Sequence, residues 1–254
     1  MSLIQENWSL LLLFFTVALL YSSVGFGGGS SYLAIMALYG LEFKFLRATA
    51  LLCNLTVVSN GSFQYYRKGF LDFKKALPLV ALSVPLAYLG GKTPLSENTF
   101  FILLGFTLLI AAVLVWFQPY LINKVNFKNI NSDNVILNLV IGAFIGYISG
   151  VVGIGGGIFL SPILYIINWD KPQKISAMAS FFILVNSISG LVGQFQTPGF
   201  SMDWGFAFAL MVAVAVGGQI GTHLGTVKFN QSMIRKATAV LIAYVSYTLL
   251  TKYL

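Results

Sequence analysis

Val24-Gly25-Phe26-Gly27-Gly28-Gly29 recurs 128 positions later as Val152-Gly153-Ile154-Gly155-Gly156-Gly157. Each copy interrupts an apolar run with three adjacent glycines, and each glycine costs a helix about 1 kcal/mol relative to alanine. Neither run is therefore expected to form one continuous helix. The match continues beyond the motif with small gaps. Ala48 and Ala50 align with Ala177 and Ala179, Gly61 with Gly190, Gly69 with Gly199, and Gly90 with Gly221. Such internal similarity reads as a duplication, with a first repeat over 1–122, a polar linker over 123–134 and a second repeat over 135–254.

The surroundings of the motifs are those of a membrane protein. Of 254 residues, 57% are hydrophobic and 9% charged, with a mean hydropathy of +0.85; soluble domains carry about 25% charged residues. Leu10 to Leu41 holds no charged side chain, and Trp204 to Val227 has His223 as its one titratable group. Uncharged runs of about 20 residues are membrane helices. The chain is thus an all-α polytopic membrane protein whose first partner is the lipid bilayer. Its net charge of +8 does not imply nucleic acid, because cytoplasmic loops of membrane proteins collect Lys and Arg. One cysteine, Cys53, and one histidine leave no disulfide, no metal centre and no evident cofactor site. No Ser-His-Asp set or buried acid pair points to an enzyme. The N-terminus lacks a basic n-region and a small-residue cleavage site, so its first apolar run is read as mature protein.

Apolar segments cover 8–24, 30–40, 46–66, 73–91 and 98–118, then 135–149, 158–168, 174–195, 204–224 and 232–251. Six are about long enough to span; the pairs 8–24/30–40 and 135–149/158–168 are shorter and split by glycine. If each split pair crossed once, the 15 basic residues would divide almost evenly between the two sides. If each pair turns back as a re-entrant hairpin, Lys44, Arg47, Lys92 and Lys252 fall outside and the other eleven inside. The positive-inside rule favours the second arrangement. It gives two inverted repeats, each a hairpin plus three crossings, in the plasma membrane with both termini outside.

Gly-interrupted segments at equivalent places in two halves point to a transport site. Helices starting near Ser30 and Ile158 aim their N-terminal N–H groups at the tips, where each supplies roughly half a positive charge. Such a site attracts an anion. The acidic residues Glu6, Glu42, Asp72, Glu97, Asp133, Asp170 and Asp203 all lie in tails, loops or span ends, so no intramembrane carboxylate is left to bind a cation or relay protons. An anion leaving a cell that is negative inside gains about 2.3 kcal/mol per charge per 100 mV, so export needs no coupling. The candidate binding residues are Gly27, Gly28, Gly29 and Ser30 at the first tip, and Gly155, Gly156 and Gly157 at the second. Polar helical stripes add Arg47 and Asn54 on one segment, and Ser180 and Gln194 on another, whose face also carries Ser176, Ser187 and Gly190.

Gly217, Gly221 and Gly225 form a small-xxx-small ridge suited to helix packing. Cys53 is a small core residue. Trp116, Trp169 and Trp204 sit at segment ends, where an aromatic belt is expected.

The paired motifs VGFGGGS (24–30) and VGIGGGI (152–158), each near the start of one half of a basic polytopic protein, resemble those of the TauE/SafE family of sulfite exporters. The resemblance extends over nearly the whole chain. It implies transport of a small sulfur-containing anion such as sulfite, thiosulfate or an organosulfonate. The family's glycine motifs fall on Gly25, Gly27 to Gly29, Gly153 and Gly155 to Gly157. Ser30 stands where the second copy has Ile158, so the halves need not contribute equally. The expected function is a secondary transporter whose tips meet near the bilayer centre; the alternatives are an anion channel and, less favoured, a membrane-embedded enzyme.

Overall fold

The computed structural model describes residues 8–23, 27–124, 134–224 and 231–254, and every regular element among them is a helix. In chain order these are α1 (Trp8–Ser23), α2 (Gly29–Leu38), α3 (Phe43–Arg67), α4 (Phe73–Lys92) and α5 (Glu97–Lys124). There follow α6 (Val135–Val152), α7 (Gly157–Ile166), α8 (Pro172–Phe195), α9 (Trp204–Leu224) and α10 (Gln231–Tyr253). Gly25, Gly225, Glu6, Asp133 and most of the linker lie outside the described residues, as does the side chain of His223.

Local chemistry sets the boundaries. The short helices α2 and α7 start on Gly28 and Gly156, at φ 82° and φ 84°, a left-handed turn that glycine makes without a Cβ penalty. Asp72 caps α4 by accepting the N–H groups of Lys74 and Lys75, Asp203 accepts the Phe206 N–H at the start of α9, and Asn134 accepts that of Leu137 on α6. The described acidic residues thus sit at helix starts and in loops, as expected. Left-handed residues recur at equivalent places: Gly28 with Gly156, Gly40 with Asn168, and Gly69 with Gly199.

Helix contacts come in matching pairs. α1 packs on α9 as α6 packs on α4, α2 meets α10 as α7 meets α5, and α3 and α8 meet each other. The first of these crossings rest on glycine. A Cβ on Gly217 or Gly221 would run into the carbonyls of Phe15 and Leu19, and one on Gly142 or Gly150 into those of Leu79 and Ala87. Gly217 and Gly221 are packing glycines, as their spacing predicts.

The ends of the split pairs are neighbours. Ser9 Oγ near the start of α1 lies 2.8 Å from the Tyr39 hydroxyl just after α2. At the equivalent place Trp169 Nε1 donates to Asn138 Oδ1 at 3.1 Å. Trp169 is only 2% exposed, so it is no belt residue. Its indole N–H has a buried amide to bond, which holds the ring inside. Trp116 and Trp204 are exposed, as a belt requires.

Among the described residues six helices are long and apolar enough to cross a membrane: α4, α5, α6, α8, α9 and α10. The number matches expectation but the membership does not. α6 qualifies because its helix runs on to Val152, whereas α3 falls short because Lys44, Arg47, Asn54, Asn60 and Arg67 dilute its hydropathy. Outward faces carry exposed Phe144, Phe208, Ile110 and Val240, a surface suited to lipid.

Candidate functional site

The two tips touch. A Cβ on Gly29 would lie 2.8 Å from the Ile154 carbonyl oxygen and would overlap the Asn54 amide, so this contact requires glycine. Asn54, two turns beyond Arg47 on α3, is 1% exposed and donates from Nδ2 to the Ile154 carbonyl at 2.8 Å. It also lies against Gly27, Gly29 and Gly155. One side chain therefore ties both tips together. Its Oδ1 has no partner.

Beside this junction is a small cavity with about 40 Å³ open to the centre of a water-sized sphere, enough for a few waters or a small ion, since one water needs ~10–15 Å³. The first tip contributes Gly27 to Ser30, and the second contributes Ile154, Gly157 and Ile158. The N–H groups of Ser31 and Tyr32 return to the Gly28 carbonyl, and those of Phe159 and Leu160 to Gly156. Those of Gly29, Ser30, Gly157 and Ile158 stay at the open helix ends.

The rest of the wall comes from Tyr21 on α1, Val115 and Gln118 on α5, Ile183 on α8, and Ile234, Arg235 and Thr238 on α10. Gln118 is 1% exposed, and its Nε2 has no hydrogen-bond partner. Arg235, 8% exposed, is the only charged group on the wall among the described residues. The cavity surface is mostly apolar, and the residues that bring polar groups to it carry helix-end N–H groups, an amide and a guanidinium, with no carboxylate among the described residues. A wall of that kind attracts an anion and repels a cation.

The sequence profile of the family described as Sulfite exporter TauE/SafE matches residues 10–249. The chain belongs to the TauE/SafE family. A relative named probable membrane transporter protein y4hK, from Sinorhizobium fredii, is 31% identical over 93% of this chain and 95% of its own length. Probable membrane transporter proteins of Bacillus subtilis (YjnA) and of Methanocaldococcus jannaschii are 25% and 24% identical, over 85% and 92% of the chain and 89% and 90% of their own lengths. No solved structure matches. The names of the family and of these relatives are those of membrane transporters and not of enzymes.

Within this TauE/SafE chain the candidate residues separate into groups. Gly27, Gly28, Gly29, Ser30, Asn54 and Gly157 line the cavity. Gly155 stands behind it against Asn54 and Ser187, and Gly156 against Phe182, Ile145 and Ser149. Ser180 is buried on α8 and lines no cavity described here. Arg47 and Gln194 are brought together elsewhere, in a second pocket between the start of α3 and the end of α8. Gln118, Thr238 and Arg235 were not foreseen. Arg235 counts as a loop charge when read along the chain; a lone amide closing the long apolar run of α5 was the available signal for Gln118.

Proposed function

We propose that this protein carries a small sulfur-containing anion, such as sulfite or an organosulfonate, out across the plasma membrane, and binds it in the cavity between the glycine tips. The observation that carries the proposal is the polar part of the lining: helix starts at both tips, the unpartnered Gln118 amide and Arg235, with no carboxylate among the described residues. In a low-dielectric interior these donors favour an anion strongly. The sulfur class comes from the family. The modest, walled volume favours a carrier over an open anion channel.

The same proposal takes the chain as two inverted repeats, each entering and leaving on one side through its glycine tip. Two contacts support this topology. Lys44 Nζ, beside the first hairpin, donates to the Gly199 carbonyl at 3.0 Å, and Lys75 Nζ reaches Asp170 Oδ2 at 3.2 Å after the second hairpin. If each split pair crossed the bilayer once, the loops in each contact would lie on opposite faces.

Vesicle flux tests the transport reading. An imposed potential alone should drive sulfite toward the positive side, with saturation and without a pH gradient. Flux that ignores potential and follows pH would refute uncoupled export, and channel-like rates would refute the carrier. For topology, cysteines at Ser2 and Leu254 in a Cys53→Ser background should both label from outside; labelling only after permeabilisation refutes it.

A further inference from the structure

The pocket that holds Arg47 and Gln194 is not part of the glycine cavity. It has about 190 Å³ open to a water-sized sphere, and its polar groups are Lys44, Arg47, Gln194 and Thr197 against the rings of Phe43 and Phe200. Arg47 is 4% exposed and Gln194 3%. Arg47 Nη2 donates to the carbonyls of Gly90, Gly91 and Gly150 at 3.2–3.3 Å. These three carbonyls lie where α4 crosses α6 and fix the guanidinium without neutralising it. Its Nε, the Gln194 Nε2 and the Thr197 Oγ1 have no hydrogen-bond partner. An unmade bond at a buried donor costs about 1–3 kcal/mol; all three atoms are enclosed, and the side chains that carry them line this pocket.

No carboxylate among the described residues lines this pocket. Glu42, Glu97 and Asp203, the acidic residues nearest along the chain, are all exposed. Glu42 also makes no side-chain cap for α3, so the first turn of this helix adds its own N–H groups beside Phe43 and Lys44. Arg47 and Asn54 lie seven residues apart on one face of α3, about 10 Å along the axis.

We infer that this pocket is a second anion site, one step from the glycine cavity along α3. Its occupant is a small oxyanion with an apolar body, such as an alkyl- or arylsulfonate. The head is bound by Arg47, Lys44, Gln194 and Thr197, and the body lies against Phe43 and Phe200. The sulfonate class rests on the transport proposal above; the anion site itself does not.

Arg47 is a poor variant for a test because its removal strands three carbonyls at a helix crossing. Gln194→Leu with Thr197→Val removes two donors that have no partner to strand. The full chain in phosphatidylcholine nanodiscs is titrated with methanesulfonate, following binding and melting temperature, in the wild type, in this double variant, in Gln118→Leu and in the triple variant. Two binding events are expected in the wild type. The double variant keeps its unliganded melting temperature or gains a little, and one event weakens at least tenfold. Gln118→Leu weakens the other. If Gln118→Leu changes nothing while the double variant loses binding, the glycine-cavity proposal fails and this one stands. The proposal is overturned if Gln118→Leu alone abolishes all binding, or if the double variant binds like the wild type. It is also overturned if the wild type responds only to phosphatidylglycerol in the nanodisc, which would make the occupant a lipid headgroup.

Discussion

At the first glycine tip, Gly28 leads into Ser30, and a Cβ on Gly29 would strike backbone at Ile154. At the second, Gly156 leads into Ile158, and a Cβ on Gly157 would overlap the side chain of Ile183, with the Ala179 carbonyl only at van der Waals distance. The backbone turn is shared, with φ near 83° at both caps, but the surroundings are not. The first tip brings hydroxyl chemistry to the cavity and leaves no room for movement. The second brings isoleucines and a carbonyl that Asn54 bonds. The duplicated motif has thus kept its conformation while its surroundings differ: the first copy adds a hydroxyl to the cavity lining, and the second adds isoleucine side chains beside its helix-end N–H groups.

The sharpest way to break this comparison is a methyl group at the matched positions Gly29 and Gly157. Gly29→Ala must separate two backbones and should lower stability by about 3 kcal/mol, at the upper end of overpacking costs. Gly157→Ala asks only for a new Ile183 rotamer and should cost about 1 kcal/mol. Unfolding of the purified proteins measures both; equal losses would mean that the tips are equivalent. Next in size is Asn54. Asn54→Leu strands the buried Ile154 carbonyl, so about 2 kcal/mol should be lost. Asn54→Asp adds a carboxylate beside the cavity and should weaken sulfite binding at least tenfold, or about 1.4 kcal/mol.

Exchanging the residues after the caps sharpens the difference. Ser30→Ile should reduce sulfite affinity about fivefold, while Ile158→Ser should leave it within about twofold. Equilibrium binding decides, and symmetrical effects would refute this difference between the copies. The smallest effect concerns the turn after α7. Partial burial pushes the Asp170 carboxyl up, but the Lys171 N–H together with Lys75 and Lys174 outweighs it and holds the group below its usual range. A depressed carboxylate stabilises the fold above the ordinary carboxylate range near ~4 and loses that contribution as pH falls through its lowered value. Thermal scans from neutral to acid pH should therefore show a loss that Asp170→Asn lacks.

The two breaks and the glycine caps were legible in the sequence because they are local: three glycines forbid a helix wherever they fall. The packing role of Gly217 and Gly221 was legible for the same reason, through spacing alone. Arg235 was not. Whether a basic residue at the start of a helix faces water or the centre of the bundle depends on what α1 and α5 place beside it, and no periodicity encodes that. Arg47 misled in the opposite sense. It is buried, but the carbonyls of Gly90, Gly91 and Gly150 hold it in a different pocket from the tips. Trp169 looked like an interfacial anchor until Asn138 provided a buried acceptor.

The exchange of partners, with α1 lying on α9 and α6 on α4, also bears on how the chain is made. When α4 leaves the ribosome, the surface it offers to α6 is still vacant, and α1 has no α9 to rest on. Until α6 is made, the backbone carbonyls of Leu79 and Ala87 lack the glycines they lie against in the complete fold. α1 gains this partner only when α9 has been made. A chain truncated before α9 would leave α1 as well as its own C-terminal end unpacked, giving membrane quality control a clear mark of an unfinished protein.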